Sequence, residues 1–201
     1  IACGFQNDAA LDIDGGDAPG VWGALHFLRQ IARGQAPQLG PRVLVIGGGN
    51  TAIDAARTAQ RLTGRPVTIV YRRTRAEMPA AREELLDLFA EGNRLVELAT
   101  PARAIVKDGR VAALECVHNE LGEPDASGRR RPVPVAGSEF RLEADAIIVA
   151  IGQRPDLGFL PEGSIALRRD GAVVVDATTG RAAGGVYAGG DVARGPAIII
   201  Q

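Results

Sequence analysis

Six consecutive residues, Gly47-Gly48-Gly49-Asn50-Thr51-Ala52, constrain this chain more than any others. They follow Arg42–Ile46, an apolar and mostly β-branched run that the pattern predicts to be a strand buried on both faces of a parallel sheet. In the G-x-G-x-x-A pattern each small residue has a physical task. Gly47 permits the sharp turn out of the strand, Gly49 lets a pyrophosphate approach the backbone, and Ala52 lets the following helix lie close to the strand. Ala52, Ala55, Ala56, Ala59 and Leu62 then recur at helical spacing, and Gly64 ends the helix before a second strand, Val67–Tyr71. Such a helix aims its unsatisfied N–H groups and the positive end of its dipole at a diphosphate. Gly47, Gly48, Gly49, Asn50, Thr51 and Ala52 are therefore candidate dinucleotide-binding residues.

The end of the second strand selects the dinucleotide. NAD sites carry an acidic residue there for the ribose 2′-hydroxyl. In this sequence Tyr71, Arg72 and Arg73 occupy that place. Guanidinium groups bind a 2′-phosphate through charge-assisted hydrogen bonds, so NADPH is expected over NADH, with Arg72 and Arg73 as its ligands and Arg75 as a possible third.

Further along, Thr74–Pro79 reads as a loop and the stretch from Ala81 to Phe89 as a helix closed by Gly92. A helix is also expected from Val21, ended by Gly34 and Pro37. From Leu95 the pattern turns to β: Leu95–Ala99, Ala102–Lys107, Val111–His118 and Pro132–Leu142 predict an antiparallel meander over 95–142, with Asp108-Gly109 as a type I′ hairpin. Arg129-Arg130-Arg131 falls in the loop of a later hairpin, where the expectation is a solvated tip. Ala144–Ala150 rejoins the parallel sheet. Ligands of open α/β sheets lie across the carboxyl ends of the strands, so Ala150, Ile151 and Gly152 are candidates for the nicotinamide side. Ser164–Arg168 and Ala172–Val175 suggest one more hairpin. The predicted class is α/β: a Rossmann-like parallel sheet with helices on both faces and an inserted antiparallel β-meander.

Five segments, Val45–Asp54, Val70–Arg73, Glu77–Ala80, Ala150–Gln153 and Val186–Asp191, together resemble the NADPH domain of the glutamate synthase small-subunit and dihydropyrimidine dehydrogenase type of FAD-dependent pyridine nucleotide oxidoreductases. The resemblance covers nearly the whole chain, in the family's order. It implies FAD and NADPH on two Rossmann-like domains, hydride passing from nicotinamide to flavin, and electrons leaving through 4Fe–4S clusters on other parts of the protein. By the same resemblance, residues 1–4 are the crossover from an upstream flavin domain, 5–185 form the NADPH-binding domain, and 186–201 begin the returning flavin segment. Gly190 and Asp191 match the family's second flavin motif, with a helix expected to begin at Gly195-Pro196-Ala197-Ile198. The implied partners are the flavin domain of the same chain and an iron–sulfur domain or catalytic large subunit. This piece alone is expected to bind NADPH and to turn nothing over. Two alternatives remain: an adrenodoxin-reductase-like ferredoxin reductase, and a non-catalytic dinucleotide-binding module. The Glu77–Ala80 loop favours the glutamate synthase type over the former.

Composition sets limits on other chemistry. A net charge of −1 gives no electrostatic reason to expect nucleic acid or an anionic membrane as partner. No apolar run is long enough to span a bilayer, and a cytoplasmic location is expected. Cys3 and Cys116 are the only cysteines. They form no C-x-x-C pair, as thioredoxin reductases have, and cannot supply the four ligands of an iron–sulfur cluster. No metal site is expected. No catalytic side chain is named either, because hydride transfer between two cofactors needs alignment more than a protein acid or base.

Overall fold

The computed structural model describes residues 1–125 and 128–196. In chain order the elements are β1 (Asn7–Asp8), β2 (Val21–Gly23), α1 (Ala24–Ala32), β3 (Val43–Ile46), α2 (Asn50–Thr63), β4 (Thr68–Val70), α3 (Arg82–Ala90) and β5 (Arg94–Val96). There follow β6 (Ala99–Lys107), β7 (Arg110–Pro124), β8 (Arg130–Glu143), β9 (Ala146–Val149), β10 (Gln153–Arg154) and α4 (Asp191–Arg194). A single 3-10 turn, Arg75–Glu77, lies between β4 and α3. The chain divides into two compact units: residues 10–151, and residues 1–9 with the chain from Gly152 onward.

The unit of residues 10–151 is built on a five-stranded parallel sheet of order β2-β9-β3-β4-β5. All four residues of β3 and of β9 are buried, which is why both strands read as unbroken apolar runs. Val43, Val45, Ile69 and Ile148 point to one face, where α1, α2 and α3 cover them through Phe27, Ile53, Ala56 and Leu88. Leu44, Ile46, Val70, Ile147 and Val149 point to the other. There the covering layer is the antiparallel meander β6-β7-β8, through Ala104, Leu114 and Cys116. The parallel sheet and meander match the sequence reading; helices on both faces do not. All three helices of this unit share one face, and the meander does on the other what a crossover helix does in other α/β sheets.

Local chemistry explains the boundaries. Gly64 ends α2 in the left-handed conformation, with φ of 68° and its N–H on the Gln60 carbonyl at 2.8 Å. Ala52, Ala55, Ala56 and Ala59 are fully buried, so small side chains bring the helix axis close to the sheet. Leu62, placed on the same face by its spacing, is 40% exposed at the helix end. Asp108 and Gly109 both take positive φ, as a type I′ turn requires, and Lys107 pairs with Arg110 across it.

Three further boundaries differ from the sequence reading. Val21–Gly23 is a strand paired with Ile147–Val149, and the helix starts only at Ala24. Three residues are too few for a period to show, and the strand passes into the helix without a loop. Arg94–Val96 is the fifth strand of the parallel sheet, paired with β4, so the meander begins at Ala99. The segment around Asp170-Gly171 has one bridge, Leu167 to Val173, in place of two strands.

The second unit takes in more of the chain at both ends than residues 1–4 and 186–201. Residues 1–9 and 152–185 belong together: β1 pairs with β10, and the Gly189 N–H reaches the Ile1 carbonyl at 3.0 Å. Its core is Val173, Ala188, Val192 and Ala193, with Ile1, Cys3, Leu157 and Ile165 against them. The compact units thus divide at 9/10 and 151/152, where the sequence reading placed its boundaries at 4/5 and 185/186. A short helix runs from Asp191 to Arg194 with Gly195 as its C-cap, ahead of the position where a helix was expected to begin. Ala197 and Ile198 of that expectation lie outside the described residues.

Ile53 is fully buried between α2 and the sheet, whereas Leu86 on α3 is 55% exposed. Truncation of Ile53 to alanine is expected to cost about 2–5 kcal/mol in urea unfolding. Leu86→Ala should stay within about 0.5 kcal/mol of the wild type.

Candidate dinucleotide site

The carboxyl ends of β3, β4 and β9 lie side by side, since Ile46 pairs with Val70 on one flank and with Val149 on the other. The chain leaves β3 for α2 and β4 in one direction, while β9 enters from the opposite side. This is the topological switch point of an open α/β sheet, where such folds form a crevice.

Gly47 to Gly49 make the turn out of β3 at that point, and the three glycines are there for three reasons. Gly47 has φ of 141°, its N–H bonds the Val70 carbonyl at 3.1 Å, and a Cβ on it would run into the Ala150 carbonyl. Gly48 is flanked by the Tyr71 ring, which a Cβ would approach to 2.6 Å. Gly49 is different. Its φ of −92° and ψ of 174° suit any residue, and a Cβ there would meet nothing within 4 Å. It is the N-cap of α2, and no side chain caps the helix. Open space in front of an uncapped helix start is where an anionic ligand fits.

One wall of the site is the loop that contains Glu77-Met78-Pro79-Ala80. The Ala80 N–H donates to the Gly48 carbonyl at 3.2 Å, and the Ala81 N–H to Asn50 Oδ1 at 2.9 Å. The Tyr71 hydroxyl donates to the Glu77 carbonyl at 2.9 Å, which fixes the ring over Gly48. The loop is closed on itself by a capping box: Glu77 accepts the Thr74 N–H at 3.0 Å and the Thr74 hydroxyl at 2.5 Å. Asn50 thus acts through a side chain that ties the loop down. Sequence reasoning used the Glu77–Ala80 motif only for its resemblance, and its anchoring role was missed. Tyr71 beside a glycine triplet was the available signal.

The three arginines have separate fates. Arg72 is exposed at the end of β4, and its guanidinium has no partner among the described residues. Arg73 is buried, its side chain only 4% exposed, with Nη2 on Asp125 Oδ2 at 2.6 Å and Nε on the Arg130 carbonyl at 2.6 Å. It is committed to the β7–β8 hairpin. The guanidinium carbon of Arg75 lies 4.2 Å over the Phe89 ring, and the backbone N–H of Arg75 donates to the Glu97 carboxylate. The arginine triplet is not a free tip either: Arg130 and Arg131 are in β8, and Arg130 donates to the Gly122 and Leu121 carbonyls.

On the other side of the crevice Ala150 is half-buried, with its N–H on the Ile46 carbonyl at 2.8 Å, and Ile151 is 47% exposed. Thr51 and Ala52 lie in the first turn of α2. Gly47–Ala52, Tyr71, Arg72 and Ala150 are therefore gathered at one sheet edge. Gly152, with φ of 148°, belongs to the other unit, as do Gly190, with φ of 69°, and Asp191, the first residue of α4.

Neither cysteine forms a disulfide. Burial pushes the Cys116 thiol up to about 12. Among the described residues there is no cluster of three metal-ligating side chains and no helix long and apolar enough to cross a membrane.

The family model described as pyridine nucleotide-disulphide oxidoreductase matches residues 1–200. The NADP(+)-dependent formate dehydrogenase subunit beta of Moorella thermoacetica is 44% identical over the whole chain, which spans 29% of that subunit. The glutamate synthase [NADPH] small chain of Escherichia coli is 36% identical over 92% of the chain, which covers 43% of its length. The chain thus spans less than half of these curated relatives. Among solved structures, Mycobacterium tuberculosis FprA in complex with NADPH superposes with a TM-score of 0.77 at 24% identity, over 99% of this chain and 59% of that one. The T. acidophilum thioredoxin reductase gives 0.74 at 21%, over 98% and 57%. At these identities the likeness concerns the fold.

Two adjacent glycines should behave differently. Gly48→Ala is expected to lower stability by about 1–3 kcal/mol, because the Tyr71 ring it meets is held by its hydroxyl. Gly49→Ser should leave thermal stability unchanged or slightly raised, since serine is a good N-cap and its Cβ has room. Thiol titration at pH 8 offers a second check. Half-buried Cys3 should react in the native protein, and Cys116 only after denaturation.

Proposed function

The chain belongs to the pyridine nucleotide-disulphide oxidoreductase family, and from that premise we propose that it is the NADPH-binding part of a flavin-dependent oxidoreductase. In this reading hydride passes from NADPH to FAD, and electrons go on through iron–sulfur clusters on other parts of the protein. The observation that carries the proposal is the pairing of an uncapped, unobstructed helix start at Gly49 with an exposed guanidinium on Arg72, without a partner among the described residues, at the same end of the sheet.

Each residue has a part in this reading. Gly47 and Gly48 shape the turn, and Gly49, Asn50 and Thr51 present the first backbone N–H groups of α2 to the diphosphate. Ala52 keeps the helix close to β3. Arg72 reads the 2′-phosphate with a delocalised charge that hydration holds weakly. Arg75, its guanidinium stacked on Phe89, is the second basic residue of this reading. Arg73 contributes by holding the turn, since Asp125 already occupies it. Ala150 and Ile151, just past β9, lie on the nicotinamide side. Bound there, the nicotinamide would supply the hydride; the protein's work is orientation and exclusion of water. Gly190 and Asp191 belong to a flavin site whose other half, with its own glycine-rich strand and helix, is not in these 201 residues. The piece alone is expected to bind NADPH, to hold FAD poorly and to be inactive. Partners in the proposal are the flavin domain and an iron–sulfur domain or large catalytic subunit, in keeping with the length of the relatives.

Calorimetric titration with NADP+ and NAD+ tests the reading. The wild type should prefer NADP+. Arg72→Ala should weaken NADP+ by about tenfold to a hundredfold, the equivalent of one charge-assisted contact, and leave NAD+ nearly unchanged. Gly49→Ser should weaken both nucleotides alike. Equal affinity for the two nucleotides in the wild type refutes the proposal.

A further inference from the structure

Tyr71 is buried, Arg72 exposed and Arg73 buried, the alternation that successive side chains leaving a strand adopt, and the backbone that carries them is gripped from outside β4. The grip comes from the meander. Asn119 on β7 is 4% exposed, and its Nδ2 donates to the Arg72 carbonyl at 2.9 Å. That carbonyl sets the amide orientation, because it demands the NH2 end, and the Thr100 hydroxyl on β6, 2.8 Å from Nδ2 and 3.0 Å from Oδ1, can serve either atom of the amide. The Asn119 N–H reaches the Leu98 carbonyl at 2.7 Å, and the Leu98 N–H the Arg73 carbonyl at 3.1 Å. Leu98 takes φ of 53°, a conformation that a side-chain-bearing residue keeps only when its surroundings hold it there. The ladder between β7 and β8 is irregular between Val117 and Asn119, so Asn119 sits at a break in strand pairing.

We propose that Asn119 and Thr100 are specificity-positioning residues: by holding the Arg72 carbonyl from the meander, they set how the Arg72 guanidinium is presented to the 2′-phosphate of NADPH. The inference rests on the reading of Arg72 given above and extends it to a second layer of residues outside the dinucleotide motif. Asparagine is a poor strand former, and a buried amide must have its hydrogen bonds met. Asn119 meets that requirement with one group only Arg72 supplies and one that Thr100 supplies. The consequence is selective. A loosened Arg72 carbonyl disturbs contact with the one phosphate that NADP+ has and NAD+ lacks, whereas the glycine turn, held by Tyr71 and Ala80, is untouched.

The test measures the ratio of NAD+ to NADP+ dissociation constants in the full-length protein. The substitutions are Asn119→Leu, Thr100→Val and Thr100→Ser, all neutral, so that none changes the charge near the 2′-phosphate. Asn119→Leu and Thr100→Val are expected to lower the ratio by at least about fivefold, through weaker NADP+ binding with NAD+ within about twofold of wild type. Thr100→Ser keeps the hydroxyl and should keep the wild-type ratio. A merely structural role would weaken both nucleotides together; that result in both Asn119→Leu and Thr100→Val, or an unchanged ratio in both, overturns the inference. Arg72→Ala run alongside separates the two levels. If it abolishes the preference while the meander variants keep it, only the positioning role falls. If it keeps the preference, the reading of Arg72 falls first.

Discussion

The closeness of three backbones at the end of β3 is the constraint on which the rest of the nucleotide unit depends. Gly47 lies against the Ala150 carbonyl and Gly48 against the Tyr71 ring, and a methyl group at either position would collide. That contact lets β3, β4 and β9 end at one level, which in turn places the start of α2, the end of β4 and Ala150 along one edge. Hydrogen bonds make the arrangement mutual. The Gly47 N–H uses the Val70 carbonyl, the Ala150 N–H uses the Ile46 carbonyl, and the Gly48 carbonyl takes the Ala80 N–H. With the internal neighbours satisfied in this way, the one glycine left without an internal reason, Gly49, is the one that faces open space.

This also explains what was legible in the sequence. The strand, glycine turn, helix and second strand over residues 42–71 are governed by local rules: apolar runs, alanine spacing and the left-handed cap at Gly64. Period and punctuation suffice there. Short elements gave no such signal. Val21–Gly23 and Arg94–Val96 are strands of three residues whose identity comes from pairing with Ile147–Val149 and Thr68–Val70. A pattern of three residues fits either period, so partners far along the chain decide. The same holds for the division into units, since Asn7–Asp8 joins Gln153–Arg154 across more than 140 residues of sequence.

The candidate site shows the limit more sharply. Arg72 and Arg73 are identical in composition and adjacent, yet only the former is presented to solvent. What separates them is Asp125, 52 residues on, and Asn119, 47 residues on. Neither belongs to a recognisable motif. Asn119, flanked in the strand by His118 and Glu120, reads as one more polar residue and carries no sign of its buried role.

The buried ion pair raises a question of purpose. Taking the Arg73 guanidinium out of water is costly, and a pair of this kind is poor evidence of net stability; apolar residues of similar volume often do as well or better. Its geometry serves a different end. Arg73 bonds both the Asp125 carboxylate and the Arg130 carbonyl, so it ties the segment after β4 to the turn of the β7–β8 hairpin and to the first residue of β8 at once. An apolar contact would permit the turn to slide; two directional bonds to a planar fork do not. Together with Asn119 on the preceding carbonyl, this leaves the Arg72 side chain as the one freely presented part of the dipeptide. The meander that replaces a crossover helix is thereby more than cover for the sheet: it supplies the polar groups that hold the edge of the crevice, from a layer that the glycine motif does not reach.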